Sequence, residues 1–153
     1  MHVFVHESVI PAPVEAVFGF HEDPRALDLL MPPWEKSRVI TPPTSLAVGT
    51  IVEVDTRIGP FWFRMVAEHI GYEKNRYFED TLRKSPFSSW RHRHTFEPHP
   101  EGCLLHDEIH YSLPLGPIGR LVEPVVVRRR LTRMFVYRHE ITRKTVLAAL
   151  EAD

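Results

Sequence analysis

Eight consecutive residues, Trp90-Arg91-His92-Arg93-His94-Thr95-Phe96-Glu97, alternate with the two-residue period of a β-strand. One face carries Trp90, His92, His94 and Phe96; the other carries Arg91, Arg93, Thr95 and Glu97. The charged face belongs in water, so the aromatic face with its two imidazoles is predicted to point inward. Burying a polar group without a partner costs on the order of a few kcal/mol. Two inward histidines therefore require partners, a bordering pocket, or both.

A chain of 153 residues fits one domain, 1–153, and can bury about two-thirds of its unfolded surface. That leaves room for a core and a cavity. The 19 basic and 20 acidic residues nearly cancel, so no global charge draws the chain to nucleic acid or acidic membranes. Cys103 is the only cysteine, which excludes an internal disulfide and a zinc site built on cysteine pairs. The first seven residues lack the basic-then-apolar layout of a signal peptide, and no apolar run approaches a membrane span. A cytoplasmic location without membrane insertion is the expectation.

Residues 2–10 read as an opening strand, with Val3, Val5 and Val9 on one side and His2, His6 and Ser8 on the other. Pro11-Ala12-Pro13 starts a short helix over 14–21, and Asp23-Pro24 caps a second over 25–30. Strands are predicted at 34–41, 50–58, 61–70, 76–83, 87–97 and 104–113. On the 61–70 strand, Phe61, Phe63, Met65 and Ala67 oppose Trp62, Arg64 and Glu68. Beyond Pro114-Leu115-Gly116-Pro117, residues 121–150 show helical periodicity, with Val127, Leu131, Met134, Phe135, Ile141, Thr145 and Ala148 near one face. This order predicts an α+β fold, in which a curved antiparallel sheet buries its inner face on a long C-terminal helix.

Face parity sets the strand register. The inner set on 104–113 is Leu105, Asp107, Ile109, Tyr111 and Leu113, which pairs Phe96 with Leu105, His94 with Asp107, His92 with Ile109 and Trp90 with Tyr111. On the preceding strand Phe78, Asp80 and Leu82 point inward, and a short turn brings Asp80 near His92. The predicted constellation is Asp80, His92, His94, Asp107 and Tyr111, ringed by Phe63, Phe78, Trp90 and Phe96. Buried ion pairs add little net stability over apolar residues of like volume. A polar patch in an aromatic-lined cavity is instead how small-ligand sites are built.

Three stretches carry a family resemblance across nearly the whole chain: residues 10–18 (Ile-Pro-Ala-Pro-Val-Glu-Ala-Val-Phe), Phe78-Glu79-Asp80 with residues 86–96, and residues 107–114 followed by Gly116 and a long helix. Together they resemble the SRPBCC superfamily (START-like, helix-grip), in its polyketide cyclase/dehydrase-like branch. The resemblance implies about seven strands gripping the C-terminal helix, two short helices after the first strand, and a deep hydrophobic cavity. Members bind lipids, sterols, quinones, polyketides or plant hormones, and some are aromatase/cyclases. No residue set here matches a proven catalytic motif of those enzymes.

The resulting expectation is a protein that binds or carries a hydrophobic small molecule. Its predicted ligand-contacting residues are Phe63, Phe78, Asp80, Trp90, His92, His94, Phe96, Asp107, Ile109, Tyr111, Met134 and Arg138. The enzyme alternative is a cyclase or dehydratase in which a His–Asp pair drawn from His92, His94, Asp80 and Asp107 acts as general acid/base. A third reading is an interaction module using the basic helix, with Arg128, Arg129, Arg130, Arg133, Arg138, Arg143 and Lys144. Acids such as Glu123 and Glu140 favour a solvated, paired helix face instead, with Arg130 or Arg138 as contacts for a ligand anion. His92 and His94 have metal-ligand spacing, but the facing acids are assigned as their partners; no metal and no cofactor are expected. His6, His69, His99, His106 and His110 are read as solvated, and Cys103 lacks a paired base for nucleophilic work. Neither nucleic acid nor membrane insertion is expected, and the assembly is a monomer or homodimer.

Overall fold

Alternating strands joined by tight turns can satisfy their backbone groups only by pairing with one another, and here each pairs with its antiparallel neighbours. The computed structural model describes residues 1–153. Strand β1 (His2–Ile10) leads into helices α1 (Val14–Glu22) and α2 (Ala26–Leu29). Strands β2 (Ser37–Thr41), β3 (Ile51–Ile58), β4 (Phe61–Glu73), β5 (Tyr77–Lys84), β6 (Ser89–His99) and β7 (Gly102–Ser112) follow. They form one seven-stranded sheet in the order β1-β7-β6-β5-β4-β3-β2. The chain closes with α3 (Pro117–Val122), a π-helical turn (Glu123–Val127) and α4 (Arg128–Ala152). The α+β, helix-grip architecture expected above is the one observed. No helix is long and apolar enough to cross a membrane.

The sheet curls around the helix at defined places. Register shifts in the β4–β5 pairing, at Val66/Ala67 and His69/Gly71, bend the long β4 strand as bulges do. At the β6–β7 turn Gly102 (φ 138°) presses against the Ile10 carbonyl, where any side chain would collide. That close approach pins the end of β1 to the hairpin and sets where α1 begins. Helix α1 covers β6 and β7 on one side and meets α4, while α4 packs on β1. Beneath α1 lies a core of Ile10, Val17, Phe18, Phe96, Cys103 and Leu105; beneath the start of α4 lies a second, of Phe4, Ile109, Tyr111, Leu131 and Phe135.

Two expectations about direction and one about a helix start are corrected. Strand β1 buries Phe4 and Ile10 and turns Val3 and Val5 to solvent, so His6 and Ser8 lie on the inner side. Helix α4 buries Leu131, Phe135, His139, Thr142 and Val146, which replaces the predicted continuation through Thr145 and Ala148. The inward line rotates there because His139 has a buried partner. The helical stretch also starts earlier than predicted and is interrupted by the π turn, where Pro124 supplies no backbone N–H.

Candidate functional site

The β6–β7 pairing is the predicted one: His94 faces Asp107, His92 faces Ile109, Trp90 faces Tyr111, and on the other side Asp80 faces His92. This register stacks four ionisable groups on one inner face. Asp107 is their hub. One carboxylate oxygen accepts from His92 Nε2 at 2.7 Å and lies 2.6 Å from His94 Nδ1. The other accepts from His139 Nε2 at 2.7 Å, and His139 Nδ1 lies 2.6 Å from the Ser8 hydroxyl. An ionised carboxylate only accepts, so all three rings present N–H groups to Asp107. His92 Nδ1 and His94 Nε2 are thereby left facing Asp80, 4.0 and 3.7 Å from its carboxylate.

Charge within the cluster is set by competition between burial and neighbours. Burial alone would lower the His94 pKa; Asp107 and then Asp80 outweigh it and lift it to about 9. Burial would raise Asp107, yet the His94 charge and the three ring N–H groups hold it well below the usual carboxylate range. Asp80 is likewise lowered, the facing His94 and His92 rings overcoming its burial. His92 is lowered, by burial and then by the neighbouring His94 charge. At neutral pH the cluster is therefore an imidazolium held between two carboxylates.

Beside the cluster lies a cavity of about 520 Å³, within the usual range for small-ligand sites. Val52, Val54, Met65, Ala67 and Leu82 form its sheet wall; Leu131, Met134 and Phe135 form its helix wall. Its roof is Leu115, Ile118 and Val122, whose outer surfaces are exposed. Asp80, His92 and His94, joined by His21, His69 and Arg138, form a polar cluster in its lining; Asp23, Ser37, Thr56 and Arg130 also line it. Arg138 donates from Nε to the Leu30 carbonyl at 3.2 Å, and burial lowers its pKa.

Of the predicted ligand-contacting residues, Phe78, Asp80, Trp90, His92, His94, Met134 and Arg138 line this cavity. Five do not. Phe96 is packed edge-on to Phe18 in the core under α1, with ring centres 5.0 Å apart. Ile109 is buried under Leu131 and Phe135. Phe63 does not line the cavity, although its β3 partner Thr56 does. Asp107 sits behind the two histidines it holds. The Tyr111 hydroxyl donates to Glu123, which the π turn carries inward, and Arg128 Nε donates to the same carboxylate at 3.1 Å. Tyr111 is thus a clamp between β7 and the π turn rather than a group offered to the cavity.

Sequence reasoning also missed four histidines. His69, read as solvated, is 5% exposed and lines the cavity. The signal was present, since odd-numbered parity runs on from Met65 and Ala67. His139 is 4% exposed and completes the Asp107 hub. His6 packs edge-on against it, ring centres 4.5 Å apart, and its pKa is lowered, by burial first. His21, at the end of α1, bonds the Val17 carbonyl at 2.8 Å and is depressed to about 4 by burial. Cys103 is fully buried in β7, and burial pushes its thiol up to about 11. That agrees with its having no nucleophilic role.

A second hollow, of about 500 Å³, adjoins the first and shares Val126 and Arg130 with it. Lys36, Arg57, Arg129 and Arg133 surround it with Trp34, and its one carboxylate, Glu35, is held by Arg130.

Comparisons with known proteins agree with this architecture. Among solved structures, TTHA0849 from Thermus thermophilus superposes with a TM-score of 0.76 at 19% identity, covering 97% of this chain and 99% of that one. Norcoclaurine synthase from Thalictrum flavum gives 0.68 at 18% identity, with 95% and 86% covered. A nucleoside-diphosphate sugar epimerase from Corynebacterium glutamicum gives 0.63 at 26% identity; 94% of this chain corresponds to 28% of that larger protein. A search of curated protein sequences finds no match. The profile of one family, described as polyketide cyclase / dehydrase and lipid transport, matches residues 10–135. The chain belongs to that family.

Proposed function

We propose that the protein, acting as a single unit in the cytoplasm, binds and carries one hydrophobic small molecule in the 520 Å³ cavity. The observation that carries this reading is a mostly apolar wall with a polar cluster set into it. Apolar residues of β3, β4 and α4 surround most of the cavity, and Asp80, His92, His94 and Arg138 belong to the cluster. Apolar area buried there supplies the affinity, at about 25 cal/mol per Å². The polar cluster orients a ligand hydroxyl or carbonyl, because leaving such a group unpaired in an apolar site is costly.

Native mass spectrometry of protein purified from its own host is the direct test, and a co-purifying apolar molecule is the expected result. Ala67→Trp, on the sheet wall, fills the cavity and abolishes both that adduct and the binding of an environment-sensitive apolar dye. Dye binding unaffected by Ala67→Trp, with no adduct in the wild type, overturns the reading.

A catalytic reading is favoured by one observation, the His94 ring facing the cavity next to Asp80, where Asp107 and Asp80 favour its protonated form. Such a ring can donate a proton to a developing enolate and reclaim it. The shared fold serves a synthase elsewhere, since norcoclaurine synthase has been captured with a transition-state analogue. If chemistry occurs, His94→Gln removes turnover and leaves ligand affinity within about threefold. Affinity and turnover falling together assign His94 to holding the ligand.

A further inference from the structure

The polar cluster of the cavity has the layout of a coordination site. We infer that Asp80, His92 and His94 bind a divalent first-row transition metal ion, such as zinc or ferrous iron, with its remaining positions open to the apolar cavity. One donor atom from each residue lies within 4.8 Å of the others. The Asp80 carboxylate is 3.7 Å from His94 Nε2 and 4.0 Å from His92 Nδ1. Those gaps are too long for hydrogen bonds. Donors that share an ion at about 2.0–2.2 Å stand roughly 3–3.5 Å apart, so small side-chain shifts close the triangle.

Three further observations point the same way. Both imidazoles are anchored through their opposite nitrogens to Asp107, at 2.7 and 2.6 Å. A carboxylate behind the ring is what fixes the tautomer and direction of metal-bound histidines. His69, across from Asp80 in the β4–β5 register, also lines the cavity. Its Nδ1 is buried without any hydrogen-bond partner, an unmet polar group beside the triangle. Finally, two histidines with one carboxylate and open positions form the donor set used for exchangeable substrate coordination.

Charge then specifies the ligand class. An ion bound at His94 Nε2 displaces that ring's second proton to solvent; with both imidazoles then neutral, Asp80, Asp107 and Arg138 leave the polar cluster one negative charge before the ion is counted. A dication makes it one positive, and a single anionic oxygen neutralises it. The matching cavity occupant is a phenolate, enolate or carboxylate attached to an apolar body.

The test uses chelator-treated full-length protein titrated with cobalt(II) alone, with no apolar ligand present, so that its failure leaves the carrier reading untouched. The expected result is one cobalt per chain with visible d–d absorption. Asp80→Asn and His94→Gln are each expected to weaken binding at least tenfold and to erase the bands. Asp80→Asn stands outside the Asp107 hub, so it remains informative if His94→Gln disturbs folding; circular dichroism checks both. Wild-type protein that shows no bands, or variants that bind cobalt as tightly as the wild type, overturn the inference. So does loss of the bands on replacing the outer-face residues His106 and His110, which would locate the ion on the surface of β7.

Discussion

The two halves of the sheet use similar residues to opposite ends. Beneath β1, β7 and β6 the inner positions are occupied by Phe4, Ile10, Leu105 and Ile109, all buried against α1 or the start of α4. Beneath β3, β4 and β5 the inner positions Val54, Met65, Ala67 and Leu82 are just as apolar, yet they face a hollow. Hydropathy alone does not separate the halves. What separates them is the helical layer: α4 packs on β1 and α1 on β6 and β7, while the bulged β4 carries the other half of the sheet away. The cluster around Asp107 lies on the seam between the two halves, with Asp107 in the packed half and Asp80 on the cavity wall.

The largest expected effect breaks the seam. Asp107→Ala leaves three ring N–H groups, one of them on the His94 imidazolium, without their acceptor in a buried site, and destabilises by about 3–5 kcal/mol. Urea denaturation followed by tryptophan fluorescence measures it, and a loss below about 1 kcal/mol would mean that the hub is dispensable. Next, matched truncations sharpen the contrast between the halves. Leu105→Ala, at a fully buried position, is expected to cost about 3 kcal/mol, whereas Leu82→Ala on the cavity wall costs less than about 1.5. Equal losses would show that the two halves are packed alike.

The last effect is spread over a range of pH. His94 is held up to about 9 in the folded chain, above its ordinary 6.5. A raised histidine pKa stabilises fully below the unfolded value and loses that contribution as pH climbs through the folded one. Stability should therefore fall between about pH 6.5 and 9, by at most about 3 kcal/mol. His21 works in the opposite sense. Depressed to about 4, it lowers stability as pH drops from about 6.5 toward 4. Denaturation midpoints from pH 5 to 10 test both slopes, and His94→Gln should flatten the alkaline one alone.

Much of this was legible in the sequence where one period governs one face. The alternation of residues 90–97 fixed the β6 faces, and parity carried the register through β7 to the pairing of His94 with Asp107. Parity extends to His69 from Met65 and Ala67, whereas on β1 the three valines at 3, 5 and 9 mark the wrong inner face, because Phe4 and Ile10 are the buried residues. It could not anticipate His139, because a helix contributes one residue to the hub and its phase depends on that tertiary contact. Nor could it separate wall from core among inward residues. Whether Ile109 or Leu82 meets a ligand is decided by how far the helix stands from each strand. Tyr111 shows the same limit: its partner Glu123 is delivered by a π turn that no periodicity announces.

The saturation of Asp107 carries a practical warning. Both its oxygens are taken by imidazoles, and two of these rings stand between it and the cavity. An alanine scan scored by lost uptake would rank this aspartate first, although nothing bound inside comes within its reach. Only a parallel measure of melting tells such a buttress from the side chains that greet the guest.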